Sequence, residues 1–350
     1  MTSPTRVLVT GHRGYIGSVL APYFVSQGYE VLGLDTGYFS DCTLVPDPTS
    51  IPELQKDLRD VVPADLRGVD AIVHLGALSN DPIGNLDERW TEEINHEATM
   101  RLAELAREAG IRRFLFSSSC IMYGMAATEV VDETAALDPK TVYARSKVKS
   151  ERGLAELVDD DFSPTFLRNG TIYGLSPRMR FDTVLNDLCG AAFTTGKIVV
   201  RGDGKPWRPV VHVEDVARAF QTVLDAPLEL VHGQAINLGA EQLNHQVIEL
   251  AELAAAVVPG CAIEVLASPG ADQRTYRADF GKFARTFPRF KWRWDGRAGA
   301  ADLVARFAQI GLTHDQYAGS RFVRLRWLDH LRESGRLDDS LRWTAAREAA

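Results

Sequence analysis

Short, continuously apolar runs alternate with amphipathic stretches through the first half of the chain. The runs predicted to be strands are Arg6–Thr10, Glu30–Leu34, Ala71–Leu75, Arg113–Ser117 and Thr165–Leu167. The stretches predicted to be helices are Tyr15–Gln27, Glu88–Ala109, which Gly110 follows at the place of a C-cap glycine, and Val142–Leu157. Strands that are apolar on both faces must be covered on both faces, so this alternation predicts an α/β fold built on a doubly wound parallel sheet.

The second half of the chain is less regular. Helices are predicted over Arg178–Ala192, Glu214–Leu224, Gln246–Val257 and the charged tail after Asp295, and strands over Ile198–Val200, Gln234–Leu238 and Ala262–Val265. No internal repeat or low-complexity linker separates the two halves. We therefore expect a larger domain, from residues 1–170 and about 209–240, and a smaller C-terminal lobe, from 171–208 and 241–345, that is interleaved with it.

Composition narrows the class of protein. The 350 residues carry 39 Lys and Arg against 47 Asp and Glu, a net charge of −8. This diffuse acidic balance argues against a nucleic-acid-binding protein, which needs basic patches that face phosphate. No apolar stretch approaches the roughly 20 residues that cross a bilayer, and the N-terminus lacks a signal-peptide pattern. The four cysteines lie far apart without metal-ligand spacing, so we expect reduced thiols, no metal site and a cytoplasmic protein.

A glycine-rich turn follows the first predicted strand. Gly11, Gly14 and Gly17 are spaced as GxxGxxG and open the first predicted helix. Such a turn needs glycine for a positive φ angle and for close approach of backbone N–H groups to a diphosphate. The N-terminus of the helix adds partial positive charge toward the same phosphates. Because the motif stands between a strand and a helix, it predicts a Rossmann-type dinucleotide-binding domain in preference to a structural turn alone.

An acidic residue closes the second predicted strand. Asp35 lies about 20 residues beyond the glycine turn, where a carboxylate binds the hydroxyls of the adenosine ribose. The same carboxylate repels a 2′-phosphate, which favours NAD over NADP. Arg13 in the glycine turn argues for NADP instead, because an arginine there can pair with a 2′-phosphate. We expect NAD as the cofactor.

Tyr143 and Lys147 lie four residues apart at the start of a predicted helix, so their side chains share one face. A free tyrosine has a pKa of about 10 and is a poor base at neutral pH. A neighbouring ammonium and an oxidised nicotinamide favour the phenolate, which becomes a general base for a sugar or alcohol hydroxyl. The spacing is common by chance on exposed helices. Its place after a dinucleotide-binding pattern and the run Ser117-Ser118-Ser119 favours catalysis.

These motifs stand in the order found in one enzyme family. Over roughly residues 5–285, the chain resembles an extended short-chain dehydrogenase/reductase of the NAD-dependent nucleotide-sugar epimerase/dehydratase branch, and is similar to UDP-glucose 4-epimerases. The motifs that carry the resemblance are TGHRGYIG at 10–17, Asp35, DLRD at 57–60, HLGA at 74–77, SSSCIMYG at 117–124, YARSK at 143–147, LRNGTIYG at 167–174 and RPVVHVEDVARA at 208–219. Each motif alone is weakly specific, whereas all of them in this order are strongly specific.

The resemblance implies a role for each matching residue. Tyr143 would be the base, Lys147 would hold the nicotinamide ribose, Ser119 would be the catalytic serine and Asn95 would support Lys147 through water. The implied cofactor-binding residues are Gly11, Arg13, Gly14, Tyr15, Ile16, Gly17, Asp35, Asp57 (at the adenine), Leu58, Leu75, Gly76, Ala77, Ser117, Tyr143 and Lys147. The implied substrate-binding residues are Ser79, Ser119, Thr171 and, for the phosphates or the ribose, Asn186, Arg208 and Arg274.

Some positions depart from the patterns of related enzymes. Sugar 4,6-dehydratases carry an Asp-Glu pair where this chain has Cys120, Ile121 and Met122, and related decarboxylases place Glu at the position of Met122. Both reactions are therefore disfavoured. In GDP-sugar 3,5-epimerases the catalytic cysteine comes one residue later than Cys120, which favours a buried thiol over a base. Thr171 replaces a common Asn, as it often does in glucuronate 4-epimerases, and indicates an altered sugar pocket.

The expected activity is NAD-dependent epimerisation of a nucleotide sugar, in which a hydroxyl, most often at C4, is oxidised to a transient ketone and reduced on the opposite face. A nucleotide keto-sugar reductase would use the same residues and is the alternative. A non-catalytic NAD(H)-binding module would normally lack an intact Ser, Tyr and Lys set. The predicted helices at 88–109 and 142–157 are those that often pair across a two-fold axis in this family, which predicts a homodimer. The sequence leaves the sugar, the nucleotide base and the inverted carbon open.

Overall fold

The computed structural model describes residues 6–79, 86–267 and 274–345, without the side chains of 126–129. Its strands are β1 Arg6–Thr10, β2 Glu30–Asp35, β3 Glu53–Gln55, β4 Ala71–His74, β5 Arg113–Ser119, β6 Met125–Val131, β7 Ser163–Asn169, β8 Thr171–Tyr173, β9 Lys197–Arg201, β10 Trp207–His212, β11 Ala235–Leu238, β12 Asn244–Gln246, β13 Ala262–Leu266 and β14 Thr275–Ala278. Seven of them form one parallel sheet in the order β11-β7-β5-β4-β1-β2-β3.

Helices cover both faces of this sheet. They are α1 Gly17–Ser26, α2 in three consecutive pieces (Glu88–Thr91, the π-helical Glu92–Glu97 and Ala98–Glu108), α3 Val142–Glu156, α4 Val184–Thr195, α5 Val213–Asp225, α6 Leu228–Val231, α7 Val247–Ala256, α8 Gly281–Thr286, α9 Gly296–Ile310, α10 His314–Ala318 and α11 Arg324–Glu333. The apolar strands predicted an α/β fold with a doubly wound, Rossmann-type sheet, and this prediction is confirmed.

The central strand β1 shows how the two faces are filled. Val7 and Val9 belong to a buried cluster with side chains of α1 and α5, among them Phe24 and Phe220. Leu8, between them, belongs to a second cluster with side chains of α2, including Leu102. Successive strand residues point to opposite faces, so a run of apolar residues requires helices on both sides. Full burial of each such side chain stabilises the fold by about 1.5–3 kcal/mol relative to exposure.

The smaller lobe contains the sheets β12-β10-β8 and β13-β9. Its core is built from α4, α7, α9 and α11, through residues such as Leu185, Leu250, Leu303 and Leu328. The chain leaves the large sheet after β7 and returns to it with α5 and β11. The residue boundaries of the two domains stay a prediction.

Several predicted elements differ from the observed ones. The helix predicted over Arg178–Ala192 is wrong in its first part, since α4 begins only at Val184. Residues 178–183 are irregular because their backbone forms hydrogen bonds with a distant segment. The Phe181 N–H, for example, donates to the Phe322 carbonyl at 2.9 Å. The strands β3, β6, β8, β10, β12 and β14 were not predicted. Their partners are distant in sequence, and a strand of three residues shows no periodicity.

No helix within residues 6–79, 86–267 and 274–345 is both long and apolar enough to cross a membrane. The four cysteines are all free thiols, with Cys42, Cys120 and Cys189 buried and Cys261 partly exposed. In the described part of the chain, no group of three His, Cys, Asp or Glu side chains is arranged to hold a metal ion.

Candidate active site

A deep cleft opens at the carboxyl ends of the parallel strands, where β1 and β4 run side by side and the strand order reverses. Its cavity volume is about 370 Å³. The predicted site residues that line it are Gly11, Gly14, Tyr15, Ile16, Gly17, Asp35, Asp57, Leu58, Leu75, Gly76, Ala77, Ser79, Ser117, Ser119, Tyr143, Lys147, Thr171, Arg208 and Arg274. Arg13, Asn95 and Asn186 are not among the residues of its wall.

The glycine turn packs closely against its neighbours at the N-terminus of α1. Gly11 has a φ of +69°, and a Cβ there would lie 2.8 Å from the backbone nitrogen of Gly76. A Cβ at Gly17 would lie 2.2 Å from the Gly11 carbonyl oxygen. The first turn of α1 carries neither an acidic residue nor a side-chain cap. The partial positive charge of this helix end is therefore not neutralised by an acidic side chain of its own first turn, which fits the diphosphate of a dinucleotide.

The charges around Asp35 match NAD. Asp35 accepts hydrogen bonds from the backbone N–H groups of Gly37 at 2.7 Å and Arg13 at 3.1 Å. Burial raises the pKa of this carboxyl, and these hydrogen bonds oppose the rise. The guanidinium of Arg13 is bound by Glu53 and, at 3.1 Å, by the Ser40 hydroxyl. The Arg13 guanidinium is thus paired within the protein, and its role at the cofactor stays a prediction.

Asp57 caps the short 3₁₀ turn Leu58–Asp60 and lines the same cleft. Its carboxylate accepts from the Arg59 backbone N–H at 2.9 Å and from the Arg59 guanidinium at 2.8 Å. Arg342, from the end of the chain, lies 3.3 Å away. Burial works against ionisation of Asp57, but hydrogen bonds and charge from the two arginines keep its pKa below the usual value.

The predicted catalytic residues come from two neighbouring elements. Ser119 ends β5 and its hydroxyl caps the turn that follows, accepting from Ile121 N–H at 3.3 Å. Tyr143 is the second residue of α3, and the side chain of Thr141 caps the N-terminus of this helix. Lys147, one turn later, donates to the Ser117 carbonyl at 2.7 Å and lies 5.7 Å from the centroid of the Tyr143 ring.

Lys147 is almost fully buried, at 3% exposure. Burial lowers its pKa to about 7, and the charge of Glu151 one helical turn further opposes the fall. Glu151 is itself paired with Arg168 at 2.7 Å. The charge on Lys147 is therefore sensitive to what else enters the cleft.

Asn95 lies behind the wall of the cleft, in the π-helical turn of α2. Its side chain accepts from Leu78 N–H at 2.8 Å and donates to the Leu78 carbonyl at 3.1 Å and to the Ser146 hydroxyl at 3.2 Å. Asn95 therefore ties the loop after β4 to the catalytic helix α3. Its predicted link to Lys147 through water stays a prediction.

Asn186, which was predicted to contact the substrate, is hydrogen-bonded within the protein, and the substrate contact stays a prediction. The residue has 0% exposure. Its amide donates to the Tyr15 hydroxyl and to the Arg180 carbonyl, both at 3.0 Å, and its oxygen accepts from Gly174 N–H at 2.9 Å. Because α4 begins at Val184, Asn186 lies in its first turn and satisfies the backbone of the segments packed against it.

Two arginines that line the cleft, Arg180 and Arg324, were not predicted from the sequence. Arg180 is paired with Asp182 at 2.8 Å, donates to the Ser79 hydroxyl at 2.9 Å, and interacts through charge with Tyr143. It was assigned to the first part of a predicted helix, which is irregular in the structure. Arg324 comes from α11, far along the chain, and no sequence signal connects it with the site. Both add positive charge to the cleft.

The turn after Ser119 presents Ile121 to the cleft, whereas Cys120 and Met122 are buried. The Cys120 thiol donates to the Arg168 carbonyl, and burial raises its pKa far above the usual range. This agrees with the interpretation of Cys120 as a small buried side chain.

A family model described as the NAD dependent epimerase/dehydratase family matches residues 7–239. The chain belongs to this family. Its cofactor is NAD, which solved relatives contain. The cleft described above fits that group, with the N-terminus of α1 available to the diphosphate and Asp35 available to the ribose.

Members of the family similar to this chain carry names for different reactions. The chain is 29% identical over 229 residues to the UDP-glucose 4-epimerase of Mycolicibacterium smegmatis, covering 61% of this chain and 72% of that protein. It is 26% identical over 321 residues to UDP-glucuronic acid decarboxylase 1 of Arabidopsis thaliana, covering 90% and 72%. The structure of MoeE5 in complex with UDP-glucuronic acid and NAD is 28% identical, with a TM-score of 0.74 and coverage of 87% and 99%. Family membership alone does not fix the reaction.

Proposed function

We propose that the chain is an NAD-dependent nucleotide-sugar epimerase, which oxidises one sugar hydroxyl, at C4, to a ketone and restores it on the opposite face. The observation that carries the proposal is that Tyr143, Lys147 and Ser119 line one cleft, while the turn after Ser119 presents Ile121 and no acid to it. The names of relatives, among them a UDP-glucose 4-epimerase and a protein that binds UDP-glucuronic acid, support a nucleotide sugar as substrate.

Tyr143 is placed to take the proton of the sugar hydroxyl. A protonated Lys147, whose Nζ lies 5.7 Å from the centroid of the Tyr143 ring, favours the phenolate. Ser119, in the same wall, can hold the same hydroxyl by a hydrogen bond. When the ketone is reduced, Tyr143 returns the proton.

NAD held at the N-terminus of α1 and at Asp35 would supply the hydride chemistry of both halves of the reaction and would be regenerated. The protein must keep the nucleoside diphosphate anchored while the ketone turns over between the two halves. Arg208 and Arg274 line the cleft, and a guanidinium matches the oxygens of a phosphate. Arg180 beside Ser79 brings a further cation toward the sugar.

Dehydration and decarboxylation are less well supported. Related enzymes use acidic residues at the positions of Cys120, Ile121 and Met122. Ile121 and Met122 carry no ionisable group, and Cys120 is buried, which raises the pKa of its thiol. A nucleotide keto-sugar reductase is the alternative, because it would use the same Ser119, Tyr143 and Lys147.

The proposal is tested by a screen of UDP-, dTDP-, GDP- and CDP-linked sugars, neutral and acidic, without added cofactor. Product stereochemistry is read by NMR. An epimerase works with the NAD that co-purifies, whereas a reductase consumes one NADH for each product. Inversion at no carbon of any sugar, together with stoichiometric NADH consumption on a keto-sugar, would overturn the proposal.

The assignment of the base has its own test. We expect Tyr143→Phe to lower kcat by about 10²- to 10⁴-fold, because a general base is removed, while NAD binding is retained. Near-normal turnover in this variant would show that another group takes the proton.

Homodimer formation through α2 and α3 and a cytoplasmic location are also part of the proposal. The four free thiols support the second.

A further inference from the structure

The C-terminal segment 324–343 lies against the residues that follow β2, the strand that closes with Asp35. The indole N–H of Trp327 donates to the Tyr38 carbonyl at 2.8 Å, and that of Trp343 donates to the Thr36 carbonyl at 2.7 Å. In the other direction, the Tyr38 hydroxyl donates to the Leu341 carbonyl. Thr36 and Tyr38 both line the cleft, so the segment forms the outer support of its wall on this side.

The same segment reaches Asp57, the second acid on the adenosine side of the cleft. The guanidinium of Arg342 lies 3.3 Å from the Asp57 carboxylate and 2.5 Å from that of Asp60. Arg59 binds Asp57 from the other side and donates to the carbonyl of Ser340 at 2.8 Å. The Asp57 carboxylate is thus held between an arginine of its own turn and an arginine from the end of the chain.

The segment is firmly anchored. Leu331, Leu337 and Leu341 are buried, at 0%, 3% and 0% exposure, in the same apolar cluster as Tyr38. Moving the segment away from the cleft would expose these side chains to water, which is unfavourable. The support it gives to Thr36, Tyr38 and Asp57 is therefore permanent in the folded protein.

The beginning of the segment adds a cation to the cleft. Arg324 lines it at 3% exposure, with its guanidinium 4.2 Å from the centroid of the Phe39 ring. One terminal nitrogen donates to the Arg178 carbonyl at 2.7 Å. The other, Nη1, has no hydrogen-bond acceptor among the described residues. A buried guanidinium donor without an acceptor is costly, and an anionic group of a ligand beside it would reduce that cost.

We propose that segment 324–343 is part of the cofactor site. Arg342 and Trp343 act as positioning residues that hold Asp57 and Thr36 for the adenosine half of NAD, Arg324 adds positive charge to the same cleft, and the segment thereby slows release of NAD. The family model ends at residue 239 and assigns nothing to this segment.

The proposal depends on the cofactor of the family, and it adds to the proposed epimerase without resting on it. An enzyme that regenerates its cofactor in every turnover gains from slow release, whereas an enzyme that must exchange it would be limited by slow release.

The test compares Arg342→Ala with Arg326→Ala. Both arginines lie on this segment, but Arg326 is exposed and donates to the Ala318 carbonyl at 2.9 Å, whereas Arg342 pairs with Asp57. Protein loaded with radiolabelled NAD is chased with excess unlabelled NAD, and the release rate is measured without any sugar. We expect release about tenfold faster in Arg342→Ala, because one charge-assisted contact is lost. Arg326→Ala should release NAD at the wild-type rate, and Arg342→Lys should restore most of the retention.

The melting temperature of the NAD-free protein serves as the structural readout and should be equal in all variants. Release of NAD from Arg342→Ala at the wild-type rate would overturn the proposal. Equal acceleration in Arg342→Ala and Arg326→Ala, with a lower melting temperature in both, would also overturn it, because it would show general loosening. If Arg342→Ala does not fold, Trp343→Phe is compared with the wild type in the same way, and wild-type release from Trp343→Phe would overturn the proposal. Since no sugar is present, failure of the epimerase proposal leaves this result unaffected.

Discussion

Arg13 lies in the glycine turn, where Glu53 and the Ser40 hydroxyl bind its guanidinium. Glu53 also pairs with His12 at 3.0 Å, but burial lowers the pKa of His12, which makes Arg13 the charged partner. We therefore expect the cofactor preference to depend on Glu53, a residue of the short strand β3 that the sequence did not connect with the site. Arg13, which could otherwise bind a 2′-phosphate, is paired with Glu53 within the protein.

This arrangement predicts the effect of Glu53→Gln. Removing the carboxylate releases the Arg13 guanidinium and removes a negative charge from the place where a 2′-phosphate would lie. We expect NADP to bind about tenfold more tightly than to the wild type, a gain of about 1.4 kcal/mol, with little change for NAD. Isothermal titration calorimetry with both nucleotides measures the ratio.

The matched control is the double variant Glu53→Gln with Arg13→Ala, in which the gain should disappear. A gain of the same size in the double variant would contradict the role of Arg13 and leave the loss of negative charge as the cause.

Among the elements, the turn between β1 and α1 carries the tightest geometry in the cleft. At Gly11 a side chain would meet backbone atoms of Gly76, at 2.8 and 2.9 Å, in a residue with φ of +69°. Backbone atoms of a packed strand end cannot move aside cheaply. The position of α1 and of its N-terminal N–H groups therefore depends on the absence of a Cβ atom at Gly11.

We expect Gly11→Ala to destabilise the fold by about 2–4 kcal/mol, from the strained φ and the contact together, and to abolish NAD binding. Gly110→Ala is the control, because Gly110 has a φ of +74° and a Cβ there would meet nothing within 4 Å. It should cost only about 1 kcal/mol, from the left-handed conformation, and retain NAD. Urea unfolding and the NAD content of the purified proteins provide the measurements. Equal effects of the two substitutions would contradict the importance of the close approach.

At the scale of the whole molecule, the predicted homodimer involves α2 and α3. The two helices pack closely, since a Cβ at Gly153 would lie 2.6 Å from the Met100 sulfur. Their outer faces carry ion pairs between Arg145 and Glu88 at 3.0 Å and between Lys149 and Glu92 at 2.6 Å. A two-fold contact through these faces would need to bury or rearrange charged groups, which costs free energy.

Each chain carries a net charge of −8, so two copies repel each other, and salt screens this repulsion. We therefore expect a dimer whose association strengthens as the salt concentration rises. Light scattering of the purified protein at several salt concentrations measures this. A mass near twice 38.6 kDa at high salt is the expected result, and a mass near 38.6 kDa at every concentration would contradict the dimer.

The sequence by itself determined the parts of this protein in which the signal is local. Continuous apolar strands determine a parallel sheet covered on both faces, and a glycine turn between a strand and a helix determines the end at which a dinucleotide lies. Tyr143 and Lys147 could be paired because one helical turn separates them.

Only the tertiary structure decided which distant groups meet in the cleft. It joined Arg13 to Glu53, brought Arg324 and Arg342 from the end of the chain to the cofactor side, and turned Asn186 into a buried support. These contacts depend on how the smaller lobe packs against the sheet. A side chain on an irregular segment carries no periodic signal, and its partner is fixed only when apolar burial has brought remote segments together.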